Sequence, residues 1–143
     1  MASRFRRAAE ERMAGIVFDA NVVIALFDSK DFHHEEAVKA YLSSTSSTIH
    51  LSALTYAEIL THPAGNDTLD YFVKNLDNGG FEVEQISKEL AIEISKVREA
   101  TRLTMPDACV LALAKSLDAE LITADKKLAE SSKTYKVKTR LLK

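Results

Sequence analysis

Four carboxylates stand out in this 143-residue chain: Asp19, Glu58, Asp107 and Asp125. Asp19 interrupts the apolar run IVFDANVVIALF, and Asp107 directly precedes ACVLALA. An ionised carboxylate in apolar surroundings needs a partner, because a low dielectric penalises its charge. No Lys or Arg lies close in sequence to Asp19 or Glu58. If the four acids converge they repel one another, and a divalent cation on oxygen ligands is the simplest remedy. Such an ion, Mg2+ or Mn2+, can deprotonate a water, align it with a phosphodiester and stabilise the leaving oxygen. It also reverses the sign of a pocket that would otherwise repel phosphate. Asn21 and Thr123, two positions after Asp19 and two before Asp125, are neutral hydrogen-bonding residues suited to orienting ligands or waters. Each of these residues also has a plain structural reading. Asp19 and Asp125 can cap helices, Thr104 to Asp107 resembles a capping box, Glu58 can face water in a stripe with Thr55 and His62, and Asn21 and Thr123 can cap locally.

The elements that must position the acids follow from patterning. Short apolar runs at 16–18, 49–51 and 121–123 read as strands buried on both faces, and 81–86 alternates as a strand nearer an edge. A last strand is expected at 135–137. Helices are expected over 21–27, from an Asp31 cap through Leu42 with Phe32, Ala37, Val38 and Tyr41 inward, and from a Ser52 cap to about His62, ended by 63–66. Leu69, Phe72, Val73 and Leu76 stripe the next helix. Ser87 caps a long one with Leu90, Ile94 and Val97 inward, and Pro106 opens one that is apolar nearly all round. A helical turn follows Asp125. Strands alternating with helices predict an α/β domain, three layers about a mainly parallel sheet. In open parallel sheets ligands bind beyond the carboxyl ends of the strands, where Asp19, Asp107 and Asp125 are placed. Residues 1–13, rich in Arg and Ala, read as an N-terminal extension, a short helix or a frayed arm; residues 14–143 read as a single domain.

Composition narrows the partners. Lys and Arg number 19 and Asp and Glu 21, so a globally basic nucleic-acid binder is excluded, and RNA contacts must be local. Lys96, Arg98 and Arg102 on one helix, with Lys126, Lys127 and the basic C-terminal residues, are candidate contacts, and Arg102, just before the Asp107 turn, is the preferred one; the alternative is a solvated face. One Cys excludes an internal disulfide framework and suits a reducing compartment; with no apolar run of membrane length, a cytoplasmic protein is expected. Cys109 reads as a small buried hydrophobe. His33 and His34 are expected at the surface, and His50 and His62 fit a hard-oxygen site poorly. Phe27, Phe32, Tyr41, Tyr56 and Phe72 read as core or dimer interface.

IVFDANVVIALF, LTYAEIL, LTMPDACVLALA and LITADKKLA, in that order over about residues 15–137, resemble the PIN-domain family, and within it the toxin ribonucleases of the VapBC type. The resemblance implies an α/β/α fold and Mg2+- or Mn2+-dependent endonucleolytic cleavage of RNA. It also implies a homodimer and inhibition by a cognate antitoxin. It assigns the metal site to Asp19, Glu58, Asp107 and Asp125, with Asn21 and Thr123 in support. The runner-up readings are a PIN-like RNA-binding module without turnover and a haloacid-dehalogenase-type phosphatase. The latter wants a second Asp where this chain has Asn21.

Overall fold

The two strands β1 (Ile16–Phe18) and β2 (Ile49–Ser52) are short and lie inside the molecule, every residue of them buried. With β3 (Phe81–Glu84), β4 (Glu120–Thr123) and β5 (Thr139–Leu141) they form one sheet, all parallel, in the order β3-β2-β1-β4-β5. The computed structural model describes residues 15–143. The extension expected at 1–13 lies outside them.

Alternation along the strands divides the core in two. Ile16, Phe18, Ile49, Leu51 and Ile122 face one side, against α1 (Ala20–Phe27), α2 (His34–Ser43), α3 (Ala53–Gly65) and α4 (Leu69–Asn78). Val17 and Leu121 face the other, against α5 (Lys88–Thr101), α6 (Met105–Leu117) and α7 (Lys126–Thr134). This is the three-layer α/β/α architecture expected. Ala108 to Ala114 of α6 are all buried, so this helix is the centre of its layer. Each large apolar side chain sealed there contributes about 1.5–3 kcal/mol.

Four helix starts obey local rules, with side-chain oxygens of Ser52, Ser87, Thr104 and Asp125 accepting backbone amides at the caps of α3, α5, α6 and α7. Other expectations are corrected. Asp31 does not cap α2; it accepts the His33 amide at 2.8 Å in the preceding turn, and the helix begins at His34. Phe32 therefore falls outside the helix and is 87% exposed rather than inward. Pro63 does not end α3, which runs on to Gly65. The last strand lies at 139–141, not 135–137. Lys136 adopts a left-handed backbone (φ 57°) and the Val137 amide closes onto Ser132 O at 3.0 Å, so the apolar pair Tyr135 and Val137 finishes the α7 turn instead of extending.

Candidate active site

The strand order reverses beside β1: the chain steps from β1 to β2 and β3, then crosses to β4 and β5. Connections leaving β1 and β4 diverge at their carboxyl ends and open a crevice there. Asp19 follows β1 directly, and Asp125 lies two residues past β4. The Asp19 amide donates to Ile122 O at 3.0 Å, which ties the two strand ends together.

Asp19 is buried and fixed from three sides. Its Oδ1 accepts the Ala20 amide (2.8 Å) as the cap of α1, and its Oδ2 accepts the Thr123 hydroxyl (2.7 Å) and the Asn21 side-chain amide (3.1 Å). Asn21 Oδ1 in turn accepts the Ala124 amide at 3.1 Å. Thr123 Oγ1 also accepts the Asp125 amide at 3.0 Å, so one buried hydroxyl links two acids. Asn21 and Thr123 therefore both donate to Asp19 Oδ2. A carboxylate has about four acceptor positions, and three of those on Asp19 are taken, leaving one on Oδ1.

Asp107 is half-buried in the first turn of α6, its amide donating to Thr104 Oγ1 at 3.4 Å. Asp125 caps α7, accepting the Leu128 amide at 3.1 Å. Glu58 is exposed on α3 and shares a groove of about 350 Å3 with Ile24, Phe27, Ile59, His62 and Phe72. Thr55, expected in a polar stripe with Glu58, is buried and donates its amide to Ser52 Oγ at 3.0 Å.

The four acids act on one another. Burial pushes Asp19 up to about 6, with the negative charges of Asp107 and Glu58 adding and the Thr123 hydroxyl and Ala20 amide opposing. Glu58 is raised by partial desolvation and then by Asp107. Asp107 is raised by burial and then by Asp125, against the Thr104 hydroxyl and Lys127. Among the described residues none of the four forms an ion pair within 4.0 Å. The group is one electrostatic unit with a net negative charge and an all-oxygen donor set, which fits a hard divalent ion. The carboxylates stand apart, however: three ligating atoms mutually within 4.8 Å occur, among the described residues, only at His50, Glu82 and Glu84.

Arg98 and Arg102 line a depression of about 400 Å3 with Ser95, Glu99, Leu103 and Met105, beside the start of α6. Arg102 ends α5 in a left-handed conformation (φ 63°) that usually favours Gly. Cys109 is buried, and desolvation pushes its thiol up, as a small inert hydrophobe requires. The surface expectation for His33 and His34 is corrected. His33 and His34 are half-buried, and His34 Nδ1 meets Ala25 O at 2.7 Å. His50 is buried and its Nδ1 lies 2.7 Å from Glu84 Oε1. Sequence spacing hid that pair, although FEVE alternation places Glu82 and Glu84 on one face and could have pointed to it.

Fold and site together define a three-layer α/β/α protein with Asp19 and Asp125 beside its switch point and electrostatically linked, through Asp107, to Glu58. The PIN domain model matches residues 16–133, and the chain belongs to that family. Among curated proteins none matches it. Solved structures do. A toxin–antitoxin complex from Klebsiella pneumoniae is similar at TM-score 0.67 and 27% identity, covering 80% of this chain and 91% of that one. FitAcB from Neisseria gonorrhoeae is similar at TM-score 0.67 and 18% identity, covering 87% and 95%. VapBC2 from Rickettsia felis, bound to a fragment of its promoter DNA, is similar at TM-score 0.68 and 13% identity, covering 90% and 98%. The last two, at such low identity, speak for the fold alone.

Proposed function

We propose that this protein is a VapC-type toxin, a metal-dependent endoribonuclease that hydrolyses RNA phosphodiesters and is held in check by a cognate antitoxin. The observation that carries the reading is the mutual repulsion that links Asp19, Glu58, Asp107 and Asp125, none of them in an ion pair within 4.0 Å among the described residues. Similarity to the Klebsiella pneumoniae toxin–antitoxin complex supports the toxin role. Asp19, Asp107, Glu58 and Asp125 would hold Mg2+ or Mn2+, and a bound dication supplies Lewis acidity toward water and phosphate. The chain's own residues do the rest. Thr123 and Asn21 hold Asp19 ionised and aligned through two donated hydrogen bonds. Glu58, raised above its usual range and open to solvent, would complete the ligand set from α3. Arg98 and Arg102 would bind backbone phosphates beside the scissile bond.

For inhibition, an antitoxin segment would cover the pocket, its apolar side chains on Ile24, Phe27 and Phe72 beside Glu58 and an Arg against the carboxylates. A homodimer and a cytoplasmic location belong to the same reading. No helix among the described residues is long and apolar enough to cross a membrane. A sedimentation experiment returning a 15.8 kDa particle at working concentration contradicts the dimer.

The test of the activity is cleavage of a mixed RNA by purified protein. The reading predicts cleavage with Mg2+ or Mn2+, none with EDTA and none for Asp107→Asn. RNA binding with no cleavage in either metal favours the silent module instead, and a covalent phosphate on Asp19 favours the phosphatase.

A further inference from the structure

Away from the acidic pocket, the pairing of β2 with β3 assembles a second cluster. The parallel register sets His50 opposite Glu82 and Ser52 opposite Glu84. Along β3, Phe81 turns toward Phe18 and Tyr41, so Glu82 and Glu84 share the opposite face. There one ligating atom from each of His50, Glu82 and Glu84 lies within 4.8 Å of the others. The burial is graded: His50 is 5% exposed, Glu84 intermediate and Glu82 open to solvent, which gives an ion a path of entry.

Two features are poorly explained by sheet packing. Glu82 and Glu84 bring like charges together on an edge strand, and among the described residues neither meets a Lys or Arg within 4.0 Å. The imidazole between them is buried with its Nε2 lacking any partner among the described residues. Gly15 seals that side: a Cβ there would stand 2.7 Å from Nε2 and 2.5 Å from Thr48 O. Among the described residues Nε2 has no partner whichever form the ring takes, so Nδ1 is the only ring nitrogen open to a ligand. The site is therefore organised around the Nδ1 end, which faces the carboxylates.

We propose that His50, Glu82 and Glu84 form a separate metal site for a borderline divalent ion of the Zn2+ class. One imidazole nitrogen and two carboxylate oxygens leave a fourth, tetrahedral position for water. Coordination through Nδ1 puts the ring proton on Nε2. The nitrogen ligand raises the preference for Zn2+ over Mg2+, whereas the all-oxygen pocket at Asp19 is filled by Mg2+ or Mn2+ when these are in excess. The ion neutralises the facing glutamates and clips edge strand β3 to β2, so its role is to hold the sheet edge. The proposal stands whether or not the chain cleaves RNA.

EDTA-stripped full-length protein is titrated with ZnCl2 by calorimetry in excess Mg2+, and thermal melts are recorded with and without Zn2+. Wild type is expected to take up one Zn2+ per chain and to melt higher with it. Glu82→Gln, a change at an exposed position outside the His50–Glu84 contact, is expected to bind at least about tenfold more weakly and lose the shift. Asp107→Asn is expected to bind like wild type. Absence of Zn2+ uptake by wild type, unaltered affinity in Glu82→Gln, or loss in Asp107→Asn overturns the assignment.

Discussion

Replacing Asp19 by Asn is expected to stabilise the metal-free protein while removing its activity. The carboxyl ionises at about 6 in the folded chain against 3.8 ordinarily, chiefly because it is buried. At about 1.36 kcal/mol per unit, that gap is a penalty of about 3 kcal/mol on the ionised form. Between the two values the folded state binds more protons than the unfolded one. Stability therefore falls as pH rises from about 4 to about 6 and stays reduced above that. Asn carries no charge at any pH and remains a good helix cap for Ala20. With its oxygen on Ala20, its Nδ2 faces the Thr123 hydroxyl and the Asn21 amide, so both bonds to Oδ2 are lost, at a cost of about 1–2 kcal/mol. The net expectation at pH 7.5 in EDTA is a gain of about 1–2 kcal/mol in urea unfolding, vanishing near pH 3.5. Added Mn2+ at about 100 times its dissociation constant returns about 2.7 kcal/mol to the wild type and nothing to the variant. A variant less stable than wild type at pH 7.5, or a difference equal at pH 3.5 and 7.5, refutes the reasoning.

Thr123→Val keeps the shape but deletes the hydroxyl that donates to Asp19 and accepts from Asp125; a loss of about 1.5–3 kcal/mol at pH 7.5 and a 10–100-fold drop in cleavage are expected from urea curves and a kinetic assay. Arg102→Gly relieves the left-handed backbone at φ 63° and removes a cation, so unfolding should show a gain of about 0.5 kcal/mol while the RNA KM rises with kcat nearly unchanged. Phe18→Ala, at a fully buried ring edge-on to Phe81, should cost about 3–5 kcal/mol in the same unfolding assay.

What the sequence made legible was whatever a few neighbouring residues decide. Ser52, Ser87, Thr104 and Asp125 cap helices because their oxygens reach amides two or three residues on, and the strand ends follow from apolar runs that stop at polar residues. The prominence of Asp19 and Asp107 came from their apolar flanks, which burial in the folded chain bears out to different degrees. Features decided by distant partners were missed. His50 meets Glu84, 34 positions on, only because β2 pairs with β3, and the half-burial of His34 depends on α1 supplying Ala25 O. Tyr135 to Val137 has strand composition, yet the left-handed Lys136 sends it into a turn. Asn21 bridging Asp19 to Ala124 is likewise a product of β1 lying beside β4.

The central claim is that mutually repelling carboxylates in the crevice share a dication. Mn2+ bound to stripped chains that all carry Glu82→Gln, counted by electron paramagnetic resonance of the free ion with no Zn2+ added, tests it without any RNA. Uptake by the otherwise unaltered chain that disappears on adding either Asp19→Asn or Asp107→Asn is the predicted outcome; equal uptake by all three proteins, or none by the otherwise unaltered chain, contradicts it.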